Sequence, residues 1–207
     1  MVSADGIHAV AEALGLALDE AALTRLDRYV ELVFKWQRLA NLTGAADEVA
    51  FINDHVADCL AILPFIDDAA LADIGSGAGL PGLVIASARP ALEIALVEPR
   101  AKRARFLQQC AIALDLPRVR VINLRVEAWK PEAPPATLIC RALSSLETFN
   151  DSTRHLHTPR SRLLAMKGRV PAEELAAPWA AGFLSAIHPL HVPGRDARCL
   201  IELRPRS

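Results

Sequence analysis

Aromatic residues are scarce in this chain. Phe, Trp and Tyr make up 5% of its 207 residues, with a single tyrosine, while the hydrophobic share is 52%. That composition excludes disorder and specifies an aliphatic core. Uninterrupted apolar runs are short as well, and none reaches the roughly 20 residues that a membrane span needs, so no membrane partner is expected. The N-terminus has no basic stretch leading into a cleavable apolar segment, which leaves no export signal and points to the cytoplasm. Cys59, Cys110, Cys140 and Cys199 form no Cys-x-x-Cys pair, as expected of buried thiols in a reducing compartment rather than disulfides or zinc ligands. The histidines include His155 and His157, two apart, but no companion Cys or Glu cluster, so no metal site is expected. Repeats and low-complexity tracts are absent too. The length suits a single α/β domain with an appendage.

What is present centres on Asp73-Ile74-Gly75-Ser76-Gly77-Ala78-Gly79, directly after the apolar Ala69-Ala70-Leu71-Ala72. This reads as a buried strand entering a glycine-rich turn that opens a helix over 80–88, with Pro81 in its first turn. Glycines suit a backbone that turns sharply and approaches a ligand closely. Gly77 to Gly82 also matches the G-x-G-x-x-G dinucleotide pattern, but Asp73 and Gly75 start the turn earlier, as Asp-x-Gly-x-Gly-x-Gly. In that form it resembles the first motif of class I S-adenosylmethionine-dependent methyltransferases. The next apolar run, Ile94-Ala95-Leu96-Val97, ends in Glu98, an acid at a strand tip suited to ribose hydroxyls. Asp73, Gly75, Gly77, Gly79 and Glu98 are therefore candidate cofactor-binding residues. The plain alternative is a glycine turn without a ligand.

The rest of the chain organises around this turn. Residues 1–66 read as a helical extension and 67–207 as the cofactor-binding core. In the extension, Val30, Leu32, Val33, Phe34, Trp36, Leu39 and Leu42 form one apolar face at helical spacing. Asp47 caps a further helix whose face runs through Val49, Ile52, Val56 and Leu60. Strands are expected near 70–74, 94–98, 119–123, 136–140 and 161–166, with helices near 80–88, 101–114 and 143–156. Residues 183–187 and 199–203 supply two closing strands, an antiparallel pair that brings the mostly parallel sheet to seven. The proline-rich 130–135 is a connecting loop.

Arg125-Val126-Glu127 follows the third strand, where a class I methyltransferase surrounds the adenine; the alternative is a surface helix start. Cys140-Arg141-Ala142 ends the fourth strand, the position that decides chemistry. It carries neither the Asn-Pro-Pro-Tyr or Asp-Pro-Pro-Tyr of amino-group methyltransferases nor a proline before the cysteine, as pyrimidine carbon methylation often uses with its thiolate. Cys140 reads as a buried structural thiol. N7 of guanine has an in-plane lone pair and needs alignment rather than deprotonation, so a site without a general base is what its methylation predicts.

Charge is segregated along the sequence despite a net −1. Residues 1–99 hold 5 Lys/Arg against 15 Asp/Glu, and residues 100–207 hold 18 against 9. A basic half that includes Lys102, Arg103, Arg118, Arg162 and Lys167 is compatible with a phosphate-rich partner. The alternative is mixing on the folded surface.

Taken in order, several segments resemble one family. They are Trp36 with Asn41-Leu42-Thr43, His55-Val56-Ala57-Asp58-Cys59, Asp73 to Gly82, Lys102-Arg103 with Phe106-Leu107, Arg125-x-Glu127, Arg141-Ala142 and Met166-Lys167-Gly168. By these the chain is similar to the bacterial small-subunit ribosomal RNA guanine-N7 methyltransferases, also called glucose-inhibited division protein B. The resemblance implies transfer of a methyl group from S-adenosylmethionine to a guanine of the 530 loop of 16S ribosomal RNA. It implies cofactor contacts from Gly75, Leu80, Val126, Glu127 and Arg141, with Arg141 also positioning the target base. Glu98 stands where the family has Asp, and Cys140 and Cys59 where it has Ser. Lys102, Arg103 and Lys167 are assigned to the RNA path. His55 and Asp58 are expected to hold the helical extension against the cofactor turn. The partner is 16S ribosomal RNA or the small ribosomal subunit, and a monomer is expected. A small-molecule methyltransferase and a non-catalytic RNA-binding module of the same fold are the other readings.

Overall fold

The computed structural model describes residues 2–142 and 145–206. Helices α1 (Val2–Ala13) and α2 (Glu20–Ala40) open the chain. Asp19 caps α2, its carboxylate accepting the Ala22 N–H at 2.6 Å, so an otherwise orphaned first-turn donor is satisfied. The helix buries Leu26, Tyr29, Val30, Leu32 and Val33. It stops at Ala40 because Asn41 turns left-handed (φ 52°), while Gln37 Oε1 accepts the N–H groups of Leu42 and Thr43, each at 2.9 Å. This corrects the expected apolar face at its end. Leu39 is 66% exposed, and Leu42 enters the core from the following turn rather than from the helix.

Asp47 caps the next helical segment as expected, accepting from Ala50 N–H at 2.8 Å. That segment runs through α3 (Glu48–Phe51), a π-helical stretch (Ile52–Val56) and α4 (Ala57–Leu60). Ile52, Val56 and Leu60 are buried, but Val49 is 48% exposed. Phe51 takes the inward place in the first turn, 6.0 Å from the rings of both Tyr29 and Phe34.

Seven strands follow: β1 (Ala70–Ile74), β2 (Glu93–Val97), β3 (Val119–Ile122), β4 (Thr137–Arg141), β5 (Arg162–Lys167), β6 (Phe183–Pro189) and β7 (Cys199–Pro205). Their order is β3-β2-β1-β4-β5-β7-β6. The first five are parallel, and β7 inserts antiparallel between β5 and β6. The expected strands and closing pair are all present. Helices α5 (Gly82–Ala88) and α6 (Ala101–Ala113) lie in the first crossovers, α7 (Leu146–Thr153) follows β4, and a short α8 (Ala172–Ala176) follows β5. The expected helix over 143–156 is shorter: α7 is capped by Ser145, which accepts from Thr148 N–H at 3.0 Å, and ends in a 3-10 turn at 154–156. Residues 143 and 144 lie outside the described ones.

Strand alternation divides the core between the two sheet faces. Ile139, Leu164 and Met166 join the helical extension, α5 and α6 in one cluster; Leu138, Cys140, Leu163 and Ala165 join α7 in the other. The extension thus shares a continuous core with the sheet. Hydrogen bonds and a ring contact help to fix it there. Tyr29 donates to Ala78 O at 2.8 Å, Arg25 Nε to Ser87 O at 2.9 Å, and Arg103 Nη2 to Asn41 O at 3.0 Å. Trp36 packs on Phe106 at 6.0 Å.

Candidate cofactor and substrate site

The carboxyl edge of the parallel strands, where α/β folds bind nucleotides, is shaped by the turn after β1. Gly75, Gly77 and Gly79 all have positive φ (73°, 58° and 93°), a conformation costly for side-chain-bearing residues. Their surroundings separate their roles. A Cβ on Gly75 would meet nothing within 4 Å, whereas one on Gly79 would lie 2.4 Å from Leu83 Cδ1. At Gly82, which opens α5, a Cβ would lie 2.3 Å from Leu96 Cδ2 and 2.7 Å from Asp73 Oδ2. Gly75 therefore leaves space at the edge, while Gly79 and Gly82 let helix and strand close on each other. Leu80 is half-buried against the same core.

Asp73 is fully buried at the end of β1. Its Oδ2 accepts the Gly82 N–H at 2.9 Å, and its Oδ1 is buried with no hydrogen-bond partner among the described residues. Burial pushes its carboxyl up to about 7, with Glu98 adding to the effect and the Gly82 N–H opposing it. Glu98, 3% exposed, is folded back onto the turn: Oε2 accepts from Gly77 N–H at 2.9 Å and Oε1 from Arg100 N–H at 2.8 Å. Each oxygen retains capacity for another donor. Asn123 donates to Glu98 O at 2.9 Å and fixes the strand tip. Val126 is buried at the start of a 3-10 turn (Val126–Ala128), and Glu127 beside it is exposed, 3.7 Å from Arg125 Nε. An orphaned buried oxygen, an open glycine edge and a buried carboxylate with unused capacity fit a nucleoside bearing several donors.

Arg141, at the end of β4, is held by the helical extension. Its Nη2 lies 2.7 Å from His55 Nδ1, 3.2 Å from Asp54 O and 3.5 Å from Asp58 Oδ2. His55 Nδ1 thus faces Arg141, which only donates, and also Asp54 O at 2.9 Å, which only accepts. Burial, and then the Arg141 charge, lowers His55 to about 4. Asp58, 6% exposed, also accepts from Arg198 Nε at 3.0 and 3.2 Å. His55 and Asp58 thus do join the extension to the edge, but at β4; Tyr29 bonds the glycine turn. A cleft of about 250 Å³ lies beside them, lined by Asp58, Arg141, Met166, Lys167, Arg198 and Cys199 among others. Cys140 is buried at 3% exposure, and burial raises its thiol far above the ordinary range. It is no nucleophile at neutral pH.

The assigned RNA residues are not equivalent. Lys102 is exposed at the start of α6, while Arg103 is half-buried, tied to Asn41 and near Gly77. Lys167 lines the cleft, 3.4 Å from Glu174. Part of the basic half is paired with acids: Arg118 with Glu93 at 3.4 Å, and Arg162, 6% exposed, with Asp67, with Asp68 at 2.9 Å and with Glu202 at 3.0 Å. Arg195 and Arg198 were not singled out from the sequence, where the only signal is the Pro193-Gly194 turn between the closing strands.

Comparison with known proteins gives both family and fold. A family model described as rRNA small subunit methyltransferase G matches residues 22–200. The protein called ribosomal RNA small subunit methyltransferase G from Azoarcus sp. is 44% identical over 195 residues, 94% of this chain and 90% of its own. Its namesake from Nitrosococcus oceani is 41% identical over 194 residues, 93% and 91% of the two chains. Among solved structures, the glycopeptide N-methyltransferase MtfA complexed with S-adenosylmethionine superposes with a TM-score of 0.60 at 12% identity, covering 74% of this chain and 88% of that one. Mitomycin 7-O-methyltransferase gives 0.61 at 15%, covering 88% and 67%. At such identities these two show the shared fold alone, that of class I methyltransferases.

Proposed function

This chain belongs to the rRNA small subunit methyltransferase G family, and we propose that it methylates N7 of a guanine in the 530 loop of 16S ribosomal RNA, using S-adenosylmethionine. The observation that carries this reading is a glycine-rich strand edge beside a cleft that, among the described residues, holds no poised base or nucleophile. Buried Cys140 keeps its proton, and His55, lowered to about 4 by burial and the Arg141 charge, is a weak base. That emptiness suits a target atom whose lone pair is already free.

The bound cofactor supplies an electrophilic methyl group on a positively charged sulfur. Asp73, Gly75, Gly77, Gly79 and Leu80 form the turn that receives it, with Asp73 Oδ1 open to a donor. Glu98 accepts ribose hydroxyls through its remaining lone pairs, Val126 packs on the base, and Glu127 sits at the rim. Arg141, fixed by His55 and Asp58, orients the target purine beside the donor, so catalysis is alignment in a shielded cleft. Lys102, Arg103 and Lys167 hold phosphates, which position RNA without reading sequence. In this scheme residues 1–66 brace the edge and residues 67–207 carry the cofactor, in a monomer acting in the cytoplasm on RNA or the assembling small subunit. Among the described residues no helix is long and apolar enough to cross a membrane. Mapping N7-methylguanine in ribosomal RNA from cells with and without this protein tests the reading: the 530-loop modification disappears with the protein, and its persistence would refute the assignment.

A further inference from the structure

A second recess, of about 340 Å³, continues the cleft beside Arg141; the two share Gly168 and Arg198. It is lined by Arg169, Arg195, Asp196 and Arg198 and by the backbones of Gly168 and Gly194. The loop that supplies most of these residues, between β6 and β7, is pre-organised. Val192 anchors it in the core at 3% exposure. The Arg195 N–H donates to Val192 O at 3.1 Å, and Gly194 has φ +71°. With Pro193 before it, this arrangement suits a type II turn. Leu190 N–H to Arg198 O, at 2.9 Å, closes the neck.

The cations are held but not exhausted. Arg198 donates Nε to Asp58 and Nη1 to its neighbour Ala197 O at 2.7 Å. A Cβ at Gly168 would come within 3.8 Å of Arg198 Nη1, so the guanidinium lies over a position without a side chain. Arg195 pairs with Asp54, whose side chain is 45% exposed. Arg169 is exposed and has no ion pair among the described residues. Each guanidinium keeps further N–H donors in a fork that matches phosphate oxygens. The Arg195–Asp54 pair is partly exposed, 28% and 45% for the two side chains, so solvent screens it and a phosphate can take the place of the carboxylate.

We propose that this recess binds a backbone phosphate of the substrate RNA, next to the target nucleotide, through Arg169, Arg195 and Arg198. The inference rests on ribosomal RNA being the substrate. A strand whose base enters the Arg141 cleft carries its flanking phosphodiester across the contiguous recess, which Arg169, Arg195 and Arg198 line together. Their task is positional, distinct from the orientation of the base by Arg141.

The test is equilibrium binding of a 16S ribosomal RNA fragment containing the 530 loop, over a salt series, for the wild type and for Arg169→Ala, Arg195→Ala and Arg195→Lys. Each alanine variant is expected to weaken binding and to lower the log–log salt slope by about 0.7 for each lost single-strand contact. Arg195→Lys keeps the slope, and calorimetric affinity for S-adenosylhomocysteine stays at the wild-type value in all three. Arg169→Ala guards against loss of the Asp54 tie, since Arg169 has none to lose. Wild-type slope and affinity in both alanine variants, even with a lowered melting temperature for Arg195→Ala, would overturn the phosphate site and leave the methyltransferase reading intact. Failure of the wild type itself to bind the fragment with steep salt dependence would overturn both.

Discussion

Replacing Tyr29 by Phe deletes one oxygen at the junction of the helical extension and the glycine turn. The Tyr29 ring is fully buried, and its hydroxyl donates to Ala78 O at 2.8 Å. Burial pushes the hydroxyl well above its ordinary value, so it remains a donor throughout the neutral range. In Tyr29→Phe the ring keeps its packing against Phe51, 6.0 Å away, and only the hydrogen bond is lost. Its net worth is about 0.5–1.5 kcal/mol, rising to about 1–3 kcal/mol where a buried partner is left unsatisfied. Ala78 is 6% exposed, which favours the upper figure. For a domain of this size each kcal/mol shifts the melting temperature by about 2–4 °C, so a fall of several degrees is expected. Ala78 lies between Gly77 and Gly79, so a loosened turn is also expected to bind S-adenosylhomocysteine several-fold more weakly. Thermal melting and calorimetric titration of the same preparation measure both. An unchanged melting temperature with unchanged affinity would refute the claim that the extension braces the cofactor turn.

Four further outcomes follow from the site. Gly82→Ala forces a Cβ to 2.3 Å from Leu96 Cδ2 and 2.7 Å from Asp73 Oδ2; a loss of about 1–3 kcal/mol is expected in urea denaturation. Glu98→Ala removes a buried carboxylate bonded to Gly77 and Arg100, and with a ribose hydrogen bond to a charged group worth about 1.5–3 kcal/mol calorimetry should show at least tenfold weaker binding of S-adenosylhomocysteine. Cys140→Ser should retain substantial methyl transfer, and no covalent adduct should form with fluorinated pyrimidine RNA; an adduct lost in the variant would contradict the guanine assignment. His55, lowered to about 4 in the fold from about 6.5 unfolded, binds fewer protons folded than unfolded between those values. Its contribution is therefore present above about pH 6.5 and lost as pH falls towards 4, and denaturation of wild type and His55→Gln across that range should show the wild type losing more stability.

The parts legible in the sequence were those whose chemistry is local. Left-handed turns at Gly75, Gly77 and Gly79 need a residue without Cβ, and Glu98 follows its strand directly, so the cofactor edge is written in consecutive positions. Asp47 announced its helix because a cap acts three residues away. Leu39 and Val49 misled because helical spacing identifies a face but not where a helix ends or which apolar residue of its first turn wins the core; Gln37 and Phe51 decided those points. The ion pairs were illegible. Asp54 meets Arg195 and Asp58 meets Arg198 across most of the chain, and Arg162 is held by Asp67 and Asp68 of the acidic half as well as by Glu202. Segregation of charge along the chain therefore overstates its segregation on the surface, and only topology shows which cations remain open to RNA.

The central claim is most directly tested with purified components. The protein, S-adenosylmethionine carrying a labelled methyl group, and small ribosomal subunits or 16S ribosomal RNA from cells lacking the protein are combined, and the modified nucleotide is identified and mapped. The account predicts stoichiometric N7-methylguanine at one site in the 530 loop, abolished or strongly reduced by Arg141→Ala. Label at another atom or another base, or none on any ribosomal RNA substrate while the cofactor binds, would contradict it.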